Sequence, residues 1–65
     1  MALTDWQARV IQERAEIEER RTGIEAFIAS DTFHRISLVE QDLLLAQAQA
    51  MMVYSHILTK RIGTF

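Results

Sequence analysis

The sequence contains no cysteine and no proline, and glycine occurs only twice, at Gly23 and Gly63. Without cysteine there is no disulfide framework, no thiolate metal site and no cysteine nucleophile. Hairpin turns and sheet corners consume glycine and proline, so their scarcity excludes a typical all-β fold. Charge of one sign is also lacking: seven Lys and Arg stand against nine Asp and Glu, a formal net charge of −2. That balance supplies no bulk electrostatic attraction for a nucleic-acid polymer. Length is short too. Sixty-five residues allow one small domain and leave no room for a closed catalytic pocket with support behind it. What remains is a chain 49 % hydrophobic and 25 % charged, the mixture of a folded protein and not of a disordered one.

The segment Met1-Ala2-Leu3-Thr4-Asp5-Trp6 has no basic stretch, apolar run or cleavage site, so no secretory signal is expected. Leu43 to Thr59 holds no Asp, Glu, Lys or Arg. It falls short of the roughly 20 apolar residues of a membrane span and carries Gln47, Gln49, Tyr54, Ser55 and His56. A helix buried at a protein interface is the better reading.

Two helix starts frame the chain. Thr4-Asp5-Trp6-Gln7 and Ser37-Leu38-Val39-Glu40 both fit the capping box, in which a hydroxyl satisfies the backbone N–H three residues on and Gln or Glu reaches back. The chain is therefore expected to be all-α, a single two-helix antiparallel hairpin over residues 1–65. Helix 1 spans about 5–29, a bend 30–37, and helix 2 about 38–62. Gly63 stands where a left-handed cap would end helix 2. Gly23 inside helix 1 costs about 1 kcal/mol relative to alanine, which close packing there would justify. Ser30-Asp31-Thr32 is turn chemistry, Phe33 and Ile36 read as an apolar plug, and Asp31 and His34 as solvated loop.

Periodicity distinguishes the helices. In helix 1, Val10, Ile17 and Ile24 repeat every seven residues, with Trp6 and Phe27 on the flanking seam position. Glu13 and Arg20 occupy that position in between. The rest reads as a lattice of pairs four apart: Asp5–Arg9, Arg9–Glu13, Arg14–Glu18, Glu16–Arg20 and Arg21–Glu25. In helix 2, Leu44, Met51 and Leu58 form one heptad row, and Leu43, Ala50 and Ile57 the next. Leu45, Met52 and Val53 widen the apolar surface beyond what one partner helix can cover. A hairpin this small buries too little to offset its chain entropy alone, so an obligate homo-oligomer is expected. Helix 2 would form its core, with Ala46, Ala48 and Ala50 permitting close approach.

No catalytic constellation is present: no Ser/His/Asp set, no phosphate-cradling glycine loop, no His-Glu-x-x-His. No enzyme activity, metal site or cofactor is expected, and His56 reads as an interfacial histidine. The open end of the hairpin carries more information. Folding back near Phe33 brings Trp6 beside Arg61, Arg9 beside Leu58 and Glu13 beside Tyr54. Trp6, Arg9, Tyr54, Lys60 and Arg61 thus gather at one end. Arginine forks suit phosphate, aromatic faces stack on a base, and a helix amino terminus favours an anion. The same residues also fit a plain structural account, in which Lys60 and Arg61 complement the helix 2 dipole and the aromatics close the core edge.

The run from Asp5 to Ile17, then Glu25-Ala26-Phe27-Ile28 and Phe33, then Gln41-Asp42-Leu43-Leu44, Gln47, Met51, Tyr54-Ser55, Ile57-Leu58 and Arg61-Ile62, resembles a known family. It looks like the short helical-hairpin proteins of tailed bacteriophages, grouped with the hairpin domain of phage anti-CBASS and anti-Thoeris sponge proteins. Arg20 stands where those hairpins usually have an apolar residue, and Arg14 where lysine is more usual. The resemblance implies a phage protein in the cytoplasm of the infected bacterium, assembled commonly as a hexamer. It would sequester cyclic oligonucleotide or cyclic ADP-ribose signals, without cleaving them, in pockets between protomers. Arg9, Glu13, Tyr54 and Arg61 match the recurring pattern and are carried over as ligand-binding positions. Two other classes compete: an adaptor bundle that captures a host protein or RNA, and a small membrane-active protein using Leu43 to Thr59.

Overall fold

A computed structural model describes residues 2–65. Helix α1 spans Asp5–Ile28, a 3-10 turn spans Asp31–Arg35, and helix α2 spans Leu38–Ile62. The described residues contain no strand. The two helices lie side by side as an antiparallel hairpin, a rod of 50 × 14 × 14 Å. Its radius of gyration is 15.0 Å, against about 11 Å for a compact chain of this length.

Local chemistry sets the helix ends. Thr4 and Gln7 form the full capping box: the Thr4 hydroxyl accepts from the Gln7 N–H at 3.4 Å, and the Gln7 side chain accepts from the Thr4 N–H at 3.0 Å. Ser37 completes only half of one. Its hydroxyl accepts from the Glu40 N–H at 3.2 Å, but among the described residues no bond returns from the Glu40 carboxylate. One good acceptor at the cap suffices to start α2. Helix α1 ends one residue earlier than the pattern suggests, with Ala29 as its cap. Gly63 is not left-handed: its φ and ψ are −62° and −15°, so the chain runs on helically and its N–H bonds to the Thr59 carbonyl at 3.0 Å.

The bend is compact because Phe33 is drawn into it. Phe33 is buried and meets Phe27 edge-on at 6.4 Å, while Ile36 is half-buried beside it. Asp31 and His34 are exposed. Between the helices the core is thin, with Val10, Ile17 and Leu58 buried and Met51, Ile62 and Phe65 packed against them.

Two expectations fail in helix α1. The lattice of ion pairs is mostly unformed. Both ion pairs among the described residues belong to Arg21, with Glu18 at 3.1 Å and Glu25 at 3.2 Å. Glu13 and Glu18 turn instead toward α2, and exposed pairs four apart contribute too little to hold the others in place. Close packing does not explain Gly23 either, since a Cβ built there meets nothing within 4 Å. Gly23→Ala is accordingly expected to stabilise the protein by up to about 1 kcal/mol, through helix propensity alone. A thermal or urea melt checks this, and an unchanged or lowered midpoint would show that Gly23 serves a contact outside the single chain.

The apolar surface of α2 is split by the fold. Leu44, Met51 and Leu58 face α1, whereas Leu43, Ala50 and Ile57 face outward and are exposed. No helix among the described residues is long and apolar enough to cross a membrane.

Candidate functional site: the open-end flank of the hairpin

Two consecutive hydroxyls of α2 grip α1 from either side. The Tyr54 O–H donates to Glu13 Oε1 at 2.5 Å, and the Ser55 O–H donates to Glu18 Oε1 at 2.5 Å. Glu13 and Glu18 are five residues apart and so stand on opposite flanks of the α1 stripe, which straddles the α2 backbone. These are long-range bonds between side chains, and they fix the register of the hairpin where the apolar core is thin.

The Ser55 flank is closed. Ser55 is buried, and Arg21 donates through Nη1 to both Glu18 oxygens at 3.1 Å and through Nη2 to Glu25 at 3.2 Å. The Ser55 hydrogen bond, with the Arg21 and Arg14 charges, holds the Glu18 carboxyl below its ordinary range against the opposing effect of burial. The stability from this lowered value is fully present above the ordinary carboxylate value and is lost as pH falls below it through the lower folded-state value. Sequence reasoning missed the Glu18–Ser55 pair. The signal was a lone hydroxyl at Ser55, on the heptad row between Ala48 and Ile62 that otherwise faces α1 with apolar side chains.

The Tyr54 flank is open and holds most of the residues singled out from sequence. Glu13 lies beside Tyr54, as folding back near Phe33 requires. Arg9 is one turn before Glu13 on the same side of α1, and Trp6 one turn before Arg9. Arg61 lies two turns beyond Tyr54 on α2, close enough that its charge acts on the phenol. Trp6 meets Phe65 edge-on at 5.3 Å and leaves 51 % of its surface exposed. Lys60 is separate: helical spacing turns it about 100° away from Arg61, onto the outward row after Ile57. Arg9, Lys60 and Arg61 are all exposed, and among the described residues none is within ion-pair distance of a carboxylate.

Tyr54 is the chain's one tyrosine. Donation to Glu13, then burial, then the Glu13 charge raise its pKa above the ordinary tyrosine value, with Arg61 pulling the other way. A raised folded-state value means that the hydroxyl form stabilises the fold below the ordinary value of about 10, and that this contribution fades as pH climbs through the folded value. Absorbance titration of the phenolate reads this one group directly. The midpoint is expected above that of free tyrosine and is expected to drop in Glu13→Gln; a midpoint at or below the free value would contradict the Tyr54–Glu13 bond.

The flank is a shallow surface. The described residues enclose no cavity, and no group of three His, Asp or Glu among them is placed to hold a metal ion. It offers two guanidinium forks, an acceptor in Glu13 and two aromatic faces. These are the means to hold an anionic, planar molecule.

Among the described residues the chain is an all-α, strand-free hairpin with a polar, aromatic flank. The particular family follows from comparison: residues 4–64 match Sequestin, and the chain belongs to the Sequestin family, a family of sequestering and not of catalytic proteins. It is also 38 % identical over 60 residues to an uncharacterized 7.5 kDa protein of the denB-rIIB intergenic region of Enterobacteria phage T4, covering 92 % of this chain and 94 % of that protein. No solved structure matches the chain.

Proposed function

We propose that this protein is a phage anti-defence sponge. It sequesters a cyclic nucleotide immune signal, of the cyclic dinucleotide, trinucleotide or cyclic ADP-ribose type, without cleaving it, in the cytoplasm of the infected host. Membership of the Sequestin family supports sequestration as the mode of action. The observation that carries the choice of ligand is the run of Trp6, Arg9, Glu13, Tyr54 and Arg61 along one open flank, with both arginines free of carboxylate partners. Arg9 and Arg61 would hold phosphate, Trp6 or Tyr54 would stack on a base, and Glu13 would accept from a sugar hydroxyl or base amine. Lys60, round the edge of α2, would add long-range attraction.

The flank of a single hairpin is too flat to enclose such a ligand. The working form is therefore a homo-oligomer, a hexamer in the proteins this chain resembles, with pockets shared between protomers. Native mass spectrometry of protein from cells making cyclic nucleotides tests retention and stoichiometry together. Calorimetry against a panel of cyclic di- and trinucleotides and cyclic ADP-ribose isomers tests affinity. The expected result is tight binding of at least one, released chemically unchanged on denaturation. No binding tighter than about 100 μM by assembled protein would overturn this reading in favour of an adaptor bundle for a host protein.

A further inference from the structure

The outward side of α2 carries an apolar row of its own. Val39, Leu43, Ala46, Ala50, Val53 and Ile57 are all exposed, on the side of α2 away from Ala48, Ser55 and Ile62. Their spacing alternates four and three, the 3.5-residue repeat by which one helix seats along another. Nothing in the single chain covers them. The surface total agrees: the chain exposes 5043 Å², whereas a folded monomer of 7.5 kDa exposes about 4,200 Å². The excess is about the 800 Å² that each partner contributes to a stable dimer.

We propose that this row seats a second copy of the same chain, with the two α2 helices antiparallel across a two-fold axis between Ala46 and Ala50. The row is complementary to itself when reversed. Val39 meets the partner's Ile57, Leu43 meets the partner's Val53, and Ala46 meets the partner's Ala50. Each large side chain faces a large one, and the small pair falls at the centre, where it lets the backbones approach. The same operation repeats every contact, as an isologous interface demands.

Charge selects the direction. Antiparallel pairing brings Asp42 alongside the partner's His56, whose ring N–H can donate to the carboxylate, and it does so twice. Gln47 and Gln49 each meet their own copies, and amides pair with themselves. Glu40 comes beside the partner's Tyr54. Parallel pairing does the reverse: it sets Lys60 against the partner's Lys60 and His56 against the partner's Arg61. In the antiparallel form Lys60 lies past the end of the row, where its stem can run along the surface and its ammonium reach water. The pairing also brings the Tyr54 flank of one chain to the amino end of the other chain's α2, so two copies border each proposed ligand surface. The inference rests on the homo-oligomer of the proposed function and adds the face, the partner residues and the direction.

The native absence of cysteine makes the test direct. Val39→Cys and Ile57→Cys chains are made separately, mixed, and oxidised gently. In the antiparallel pair each new thiol faces the other variant, while two copies of Val39 stand about 27 Å apart, beyond the roughly 7 Å limit of a disulfide. The expected result is a mixed disulfide from the mixture and none from either variant alone, and likewise for Leu43→Cys with Val53→Cys. A Val39→Cys disulfide with itself would overturn the direction. Failure of every combination in protein that sediments as an oligomer would overturn the face. A sedimenting monomer would overturn the pairing together with the oligomer reading. The ligand reading is judged separately, by calorimetry.

Discussion

Leu58→Asp is expected to abolish the hairpin. Leu58 is the most buried side chain, 1 % exposed, and lies between Val10 and Ile17 on α1. The substitution removes that contact and buries a carboxylate among apolar side chains. An uncompensated buried charge costs about 3–5 kcal/mol, and lost apolar burial adds roughly 2 kcal/mol. A domain of this size has only about 3–10 kcal/mol of stability in all. Far-ultraviolet circular dichroism should show the helical signal lost at 25 °C, while Leu58→Met, which conserves volume, retains it. A helical Leu58→Asp protein with near-parental melting would mean that the fold does not depend on this thin core.

The second large effect concerns ligand. On the proposed function, Arg9→Ala and Arg61→Ala each remove a charge-assisted donor to phosphate, worth about 1.5–3 kcal/mol. Each should weaken cyclic-nucleotide binding by roughly tenfold to a hundredfold. Both side chains are exposed and neither belongs to the core, so the helical signal should be unchanged. Arg35→Ala, in the turn at the closed end, is the control and should bind as the parent does. Calorimetry of the three variants separates the outcomes. Equal loss in all three would mean diffuse attraction by positive charge; no loss in Arg9→Ala or Arg61→Ala would remove the open flank as the site.

Why the ion-pair lattice failed while the Glu13–Tyr54 contact formed is a question of competing partners. Sequence spacing shows which side chains can meet on one helix, but not what the neighbouring helix offers them. Glu13 had Arg9 one turn away and took the Tyr54 hydroxyl; Glu18 had Arg14 one turn away and took Ser55 and Arg21. An exposed carboxylate gains little from an arginine in water, whereas the packing of α2 on α1 brings the Tyr54 and Ser55 hydroxyls within reach, and the buried Ser55 hydroxyl needs an acceptor. The same reasoning separates Lys60 from Arg61. They are adjacent in sequence and were grouped at one end of the chain, yet a helix turns neighbours about 100° apart, and only Arg61 acts on the Tyr54 phenol.

The two helices and the bend between them are legible in the sequence, because each rests on local chemistry. Capping hydroxyls at Thr4 and Ser37, apolar heptad rows and an absence of proline act within one or two turns of chain. The same local signals do not decide the handedness at Gly63, since a glycine permits a left-handed cap without requiring one. Tertiary structure alone decided which of the α2 rows faces α1. Leu44, Met51 and Leu58 and the outward Leu43, Ala50 and Ile57 have the same spacing and similar hydrophobicity, so periodicity cannot rank them. The choice fell to the chain reversal at Phe33 and to the two hydroxyl–carboxylate bonds from Tyr54 and Ser55, which hold one face of α2 against α1 and leave the other bare.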